Sequence, residues 1–267
     1  FFLAGIVAAF SAFSYAELAS RYPYSTGAAG YIHEGIGKSW ISTLFGIGIA
    51  FSGIVSASVL TLGFVGYFQI FFPLSSILII GGILLFLTLL TLWGIKDSVT
   101  LISIITTIEI IGLLIIIWVA RGSFSEFPEY IIQTVPTFSV LDMSGVVAGM
   151  FLAFYAFIGF EDMVNIAEET KNPSKVLPKA IITSLFIAGG LYILIGLVAV
   201  LALPIEALEA SKAPLADIYT LYTGKSPVLI TIISLFAVVN GIIAQIIMAS
   251  RILYGMGKKG WIHKSVS

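Results

Sequence analysis

The sequence predicts an all-α integral membrane protein, and three observations support this class. Apolar residues make up 59% of the chain and charged residues only 10%, against roughly 25% charged in soluble domains. The mean hydropathy is +1.10. The apolar residues form long runs without the alternation typical of β-strands. The expected partners are therefore membrane lipid and a small solute, and no basic region indicates nucleic-acid binding.

Seven apolar segments have about the length of 20 residues that a helix needs to cross a bilayer. The first segment has no basic region before it and six further spans follow it, so we expect a helix there and not a signal peptide. We expect a single transmembrane domain over residues 1–267, and Phe1 starts inside an apolar run, which indicates a fragment of a longer protein. The segments are 1–19, 39–69, 74–94, 98–120, 144–168, 180–203 and 226–256.

The basic residues predict the orientation of the chain. Ten of the thirteen lie in the connectors after the first, third, fifth and seventh segments. Cytoplasmic loops carry the excess of lysine and arginine, so these connectors are predicted to be cytoplasmic. The ten are Arg21, Lys38, Lys96, Lys171, Lys175, Lys179, Arg251, Lys258, Lys259 and Lys264.

A polar interruption within Gly145–Ile181 predicts a binding site in the membrane. The apolar pattern breaks at Ile158–Asp162, which contains Gly159 and two adjacent carboxylates. A broken helix at membrane depth is tolerated only where it lines a cavity or is buried in protein, and its free backbone groups suit a small zwitterion. Tyr155, one turn earlier, is a candidate for closing over the ligand; the alternative is a packing aromatic.

Three carboxylates are candidate proton or ion carriers: Glu161, Asp162 and Glu109, the last in the middle of an apolar run. A low-dielectric site disfavours the charged form of a carboxyl group, so such a group can bind and release a proton. Two alternatives remain open. In one, Glu161 serves only as an acceptor for backbone N–H groups; in the other, Glu109 only forms a structural hydrogen bond to a neighbouring helix.

The connector AEETKNPSKVLPKAI is a candidate cytoplasmic gate. Asn172-Pro173 is predicted to end one helix and Pro178 to start the next. Glu168 and Glu169 could pair with Arg21 or with the lysines nearby, or the connector could be a solvated loop. The sequence lacks cysteine and its two histidines lie far apart, so no metal site is expected, and no enzyme motif is present.

Four motifs carry a resemblance to the amino acid-polyamine-organocation (APC) family of amino acid permeases. They are SYAELASRYPYSTGAAGY at 14–31, GIKDS at 94–98, FIGFEDMVNIAEETKNPSKVLPKAI at 157–181 and ASRILYGMGKKGWI at 249–262. The resemblance implies a leucine-transporter-type fold of two inverted five-helix repeats. The chain would supply family helices two to eight, one of them discontinuous, with the first helix and those after the eighth missing.

The resemblance also implies roles for single residues. Substrate would bind at Tyr155, Ala156, Phe157, Ile158 and Gly159, with Tyr155 as the aromatic gate and the backbone of 157–159 receiving the amino group. Glu161 falls on an acidic position linked to proton response. Glu109 falls where some proton-coupled members carry a lysine, and this departure leaves H⁺ and Na⁺ both open as the coupling ion.

The sequence therefore predicts a multi-pass secondary active transporter of amino acids, working by alternating access in the plasma membrane, without an organic cofactor. Proton symport and exchange for a related metabolite are the two modes expected. A polyamine or organic-cation carrier of the same fold is the first alternative, favoured by the extra carboxylates. A seven-helix receptor is the second. The oligomeric state is not predicted.

Overall fold

The regular structure of the chain is helical in every part that the structure describes. The computed structural model describes residues 1–24, 27–92, 98–134 and 139–263, apart from the side chains of 90–92, 98–102, 133–134, 140–141 and 168–169. Two 3₁₀ segments, Arg121–Glu126 and Phe160–Glu169, join the α-helices. The predicted all-α class is confirmed. The α-helices are α1 Phe2–Arg21, α2 Gly27–Ile36, α3 Ser39–Phe68, α4 Ser76–Leu92, α5 Ser98–Val119, α6 Phe127–Thr134, α7 Val140–Tyr155, α8 Pro173–Ala202, α9 Ile205–Ala210, α10 Pro214–Thr223 and α11 Val228–Lys258.

Among the described residues, five helical stretches are long and apolar enough to cross a membrane. A sixth candidate is a bent pair, Ser103–Val119 with Arg121–Ile132, which turns by 55° at its break. The predicted span 74–94 corresponds to α4, whose described apolar part Ser76–Leu89 is shorter, so that span stays a prediction. The five stretches are Phe2–Arg21, Ser39–Phe68, Asp142–Ala167, Pro173–Ala202 and Val228–Lys258.

The start of α8 differs from the prediction. The helix begins at Pro173, and Pro178 lies inside it, so the prediction that Pro178 starts the helix is wrong. Proline suits the first helical position because its fixed φ is already helical and its missing N–H would have no partner there. The carbonyl of Asn172 accepts the N–H groups of Lys175 at 3.0 Å and Val176 at 3.1 Å. The first turn is therefore closed before Pro178 is reached.

The chain separates into two compact units. Unit 1 comprises Phe1–Gly53, Val135–Ile193 and Ile247–Ser267, and unit 2 comprises Ile54–Thr134 and Leu194–Ile246. The helices α3, α8 and α11 contribute residues to both units. Whether the chain acts as one transmembrane domain, as the sequence predicts, stays a prediction.

The core of unit 1 is built on a stripe of small residues along α1. Five alanines, four residues apart except for the last pair, lie on one face of this helix and are almost fully buried. Small side chains let helices approach closely in a membrane. The stripe packs against Phe157 and against the first half of α8, and so it supports the segment that interrupts the α7 span. The alanines are Ala4, Ala8, Ala12, Ala16 and Ala19.

Unit 2 has its own apolar core, where α5 packs on α10. Ile116 of α5 and Ala120, which follows that helix, are fully buried in it, as are Val198 of α8 and Ile218 of α10. Glu109 lies two turns before Ile116 on α5, so the second candidate carboxylate belongs to this unit.

Candidate functional site

The predicted helix break lies between α7 and the 3₁₀ segment Phe160–Glu169. After α7 ends at Tyr155, the next three N–H groups donate to carbonyls only three residues back, at 2.9 to 3.2 Å. Gly159 then adopts a φ of 129°, a conformation that glycine reaches far more readily than other residues. The helix therefore tightens and turns at Gly159, and the interruption predicted at Ile158–Asp162 is confirmed.

The break leaves backbone acceptors without backbone donors. Among the described residues, the carbonyls of Ala156, Phe157 and Ile158 accept no backbone hydrogen bond. The neighbouring donors are occupied: the Gly159 N–H donates to Oε2 of Glu161 at 2.9 Å. Because unpaired carbonyl oxygens at membrane depth need donors, this segment is suited to a ligand that brings N–H groups or a positive charge.

A cavity of about 160 Å³ adjoins the break within unit 1. The four residues Ala156 to Gly159 line it together with side chains from α8. This volume is below the roughly 300 to 1,000 Å³ typical of pockets for drug-sized ligands, and fits a small solute. The lining residues are Ala156, Phe157, Ile158, Gly159, Phe160, Met163, Ser184, Leu185, Ala188 and Tyr192.

The side chain of Phe157 positions the break. Its exposed fraction is 5%, and a Cβ added at Gly5 of α1 or Gly189 of α8 would lie 3.3 Å from its ring. The ring of Tyr192 meets it edge-on, with 5.3 Å between centroids. A methyl group at either position would crowd the ring, so both glycines favour its close approach. Phe157 anchors the break between two helices, which leaves its backbone as the part that a solute could contact.

Tyr155 occupies the last position of α7, and its exposed fraction is 38%. It is not among the residues that line the 160 Å³ cavity. Its predicted role as an aromatic gate stays a prediction.

Glu161 and Asp162 begin the 3₁₀ segment, as the sequence places them. The carboxylate of Glu161 is partly buried and accepts the Gly159 N–H across the turn. Tyr15 of α1 packs edge-to-face on Phe160, with 5.9 Å between ring centroids, and α1 contacts the 3₁₀ segment. The acid pair therefore sits against α1, beside the cavity lined by the break.

Glu109 has a partner on another helix. Nδ2 of Asn240, in α11, donates to Oε1 of Glu109 at 3.1 Å and lies 3.4 Å from Oγ1 of Thr106. This structural hydrogen bond is the alternative that the sequence left open for Glu109. It does not test whether Glu109 also carries a proton or ion. Glu109 belongs to unit 2 and Glu161 to unit 1.

The predicted cytoplasmic gate is described only in part. Arg21 Nη2 forms an ion pair with Oε1 of Glu17, one turn earlier on α1, at 2.5 Å. The side chains of Glu168 and Glu169 lie outside the described residues, as do Lys96, Lys264 and most of the GIKDS motif. The pairing of Arg21 with Glu168 or Glu169 stays a prediction.

Several residues beside these sites were not singled out from the sequence. Tyr15, Ser184 and Tyr192 are ordinary members of apolar helices in the sequence, and only packing brings them to the break. For Asn240, the sequence itself offered a clue to a polar contact, because it is an amide within an apolar run. An amide inside an apolar span commonly hydrogen-bonds to a neighbouring helix, so its presence in VVNGII predicts a polar partner.

Comparison with known proteins identifies the family. The amino acid permease family matches residues 1–266. The chain belongs to this family. Membership confirms the APC resemblance, favours a transporter over a seven-helix receptor, and makes the protein an integral multi-pass membrane protein and not an enzyme.

Individual relatives of this permease are similar over most of the chain. An uncharacterized protein of Methanocaldococcus jannaschii is 29% identical over 97% of the chain and 60% of its own length. The vacuolar cationic amino acid transporter 4 of Arabidopsis thaliana is 32% identical over 78% of the chain and 38% of its length. The branched-chain amino acid permease BcaP of Bacillus subtilis is 26% identical over the whole chain and 61% of its length. The chain thus spans less than two thirds of these relatives.

Proposed function

We propose that this permease moves an amino acid across its membrane by alternating access around the break after α7. The observation that carries the proposal is the set of three carbonyls, on Ala156, Phe157 and Ile158, that accept no backbone bond and belong to residues lining a small cavity. An α-ammonium group offers three N–H donors and a positive charge, which match carbonyl acceptors. Discontinuous helices of this kind hold substrate in many secondary transporters.

Glu161 is the proposed proton carrier. Its carboxylate receives the Gly159 N–H, so a change in its protonation would change a hydrogen bond in the backbone of the break itself. The hydrogen bond from the Gly159 N–H to Glu161 would then couple proton binding to the shape of the substrate site. Exchange for a related metabolite uses the same site without net proton movement, and Na⁺ held near Glu109 is the alternative coupling ion.

The substrate class is proposed from the relatives and from charge. Relatives named for cationic and for branched-chain amino acids match the chain with similar identity. These relatives therefore support amino acids as the substrate class, but they do not select one type of substrate side chain. A polyamine or other organic cation is the second candidate. Asp162 beside Glu161 favours it, because a second carboxylate could hold a second ammonium group.

We propose the plasma membrane as the location. The Arabidopsis relative is named as vacuolar, so an internal membrane is the alternative. Fractionation of cells expressing the full-length protein with a fluorescent tag distinguishes the two.

The decisive experiment measures uptake by the full-length protein in proteoliposomes. Radiolabelled leucine, arginine and putrescine are offered separately. Each transported substrate is then competed with its analogue lacking the ammonium group, such as the 2-oxo acid of leucine. If the carbonyls hold the ammonium group, the 2-oxo acid competes at least tenfold more weakly than the amino acid. Equal competition would contradict the assignment of the carbonyls, and transport of putrescine alone would favour the polyamine alternative.

A further inference from the structure

A second cavity within unit 1 lies between the end of α1 and the start of α8. Its volume is about 390 Å³. It is lined by the last two turns of α1, from Phe13 to Ser20, and by the first turns of α8, from Ser174 to Ile182. We call it the α1–α8 groove. It shares no residue with the cavity at the helix break.

The groove has one apolar end and one polar end. Phe13 and Ile182 lie deeper along the two helices, whereas Ser20 and Ser174 lie at the ends that face each other. Ser20 lies seven positions after Phe13 on α1, which corresponds to about 10 Å at 1.5 Å per residue. Such a groove presents hydroxyl groups at the edge of the membrane and apolar side chains about 10 Å further in. This is the polarity profile of a phospholipid.

The polar end carries net positive charge. Lys175 and Lys179, one helical turn apart, both line the groove and are exposed. The carboxylate of Glu17 also lines it, but forms an ion pair with Arg21. The groove opens at the N-terminal end of the 30-residue helix α8, where the helix dipole adds positive potential. The charge therefore complements an anionic headgroup and not a zwitterionic one.

We propose that the α1–α8 groove binds an anionic phospholipid of the cytoplasmic leaflet. Lys175 and Lys179 hold the phosphate, with Ser20 and Ser174 as hydrogen-bond donors, and an acyl chain lies along Phe13 and Ile182. Basic pockets between membrane helices on the cytoplasmic side are suited to such headgroups. The positive-inside distribution of lysine and arginine places this end of α8 in the cytoplasmic leaflet. A lipid bound here would bridge α1 to α8, the two helices between which Phe157 is anchored.

The test is lipid retention by the full-length protein in native mass spectrometry. The probes are phosphatidylglycerol and phosphatidylcholine with the same acyl chains, titrated separately. The parent protein is expected to retain one phosphatidylglycerol more tightly than phosphatidylcholine. Lys175→Gln with Lys179→Gln should weaken this binding roughly 25-fold, which corresponds to about 1 kcal/mol for each lysine. The matched control is Lys171→Gln with Lys258→Gln, two cytoplasmic lysines outside the groove, which should change it less than threefold.

A second variant tests the apolar end without changing charge. Ile182→Trp fills the groove and should weaken phosphatidylglycerol binding while leaving the lysines in place. Soluble glycerol phosphate should fail to compete at concentrations where the lipid saturates the site, because it lacks acyl chains. Equal retention of both lipids, equal effects of the two lysine pairs, or no retained lipid would each overturn the proposal. Competition by glycerol phosphate would replace the lipid by a free phosphate ligand.

Discussion

Glu161 and Glu109 both lie within apolar candidate spans, but the helix is broken at Glu161 and continuous at Glu109. At Glu161 the helix is broken, and the carboxylate accepts a main-chain N–H only two residues away. At Glu109 the helix α5 is continuous, and the carboxylate accepts from the side chain of Asn240, 131 residues later in the chain.

The difference separates two ways of holding a polar group in a membrane. The region after α7 changes its own backbone, so it also frees carbonyl groups that can bind a solute. Around Glu109 the helix α5 is not interrupted, and the carboxylate is satisfied by an amide on α11. A change at the break should therefore affect transport more than stability, whereas a change at the Asn240 contact should affect stability first.

The largest effect on transport is expected from Gly159→Ala, which changes the backbone at the break. No atom lies within 4 Å of an added Cβ at Gly159, but its φ of 129° is strained for any other residue, at a cost of about 1 to 3 kcal/mol. The initial rate of substrate uptake in proteoliposomes should fall at least tenfold. Gly149→Ala is the matched control: it lies in α7, its added Cβ also meets nothing, and uptake should be unchanged. Equal rates for the two variants would remove the special role of the break.

The next effect is expected from Glu161→Gln compared with Glu109→Gln. A glutamine can still accept the N–H that each carboxylate accepts, but it cannot bind and release a proton. Proton-coupled uptake rises as the external pH falls, so the variant that lacks the proton carrier should show a flat pH profile. We expect this for Glu161→Gln. Uptake is measured between pH 5 and 8, and a flat profile for Glu109→Gln alone would transfer the proton role to α5.

A smaller effect, on stability, is expected from Asn240→Leu. The substitution removes the donor of Glu109 while nearly keeping the volume of the side chain. Hydrogen bonds between membrane helices contribute about 0.6 kcal/mol on average and about 1.7 kcal/mol at most. The free energy of unfolding in detergent should therefore fall by an amount in this range, and the unfolding temperature should fall with it. The double variant with Glu109→Leu should recover part of the loss, since it removes both polar partners; strictly additive losses would argue against the contact.

How far the sequence predicts the structure differs between the two regions. The break at Ile158–Asp162 was predictable because glycine and two carboxylates interrupt an apolar run within five residues. The same locality explains why Glu161 could be proposed as an acceptor for backbone N–H groups. The cavity was predictable in position but not in its lining, because Ser184 and Tyr192 reach it only through the packing of α8.

The Asn240 contact was not predicted because its partners are far apart in the chain. The sequence shows an amide in one span and a carboxylate in another, but no local pattern fixes which helices meet. The start of α8 was missed for a different reason. Two prolines, Pro173 and Pro178, compete for the first helical position, and only the bonds accepted by the carbonyl of Asn172 show which one begins the helix.

The smallest effect on stability is expected from Arg21→Gln, and it sharpens the prediction of a cytoplasmic gate. The Arg21–Glu17 pair is an i, i+4 pair on α1 whose side chains are 66% and 61% exposed, and such pairs contribute about 0.3 to 0.5 kcal/mol. Arg21→Gln and Glu17→Gln should therefore lower the unfolding temperature by the same small amount. If Arg21 also pairs with Glu168 or Glu169 during transport, Arg21→Gln alone should slow uptake. Equal uptake by both variants would confine Arg21 to its pair with Glu17 and remove it from the gate.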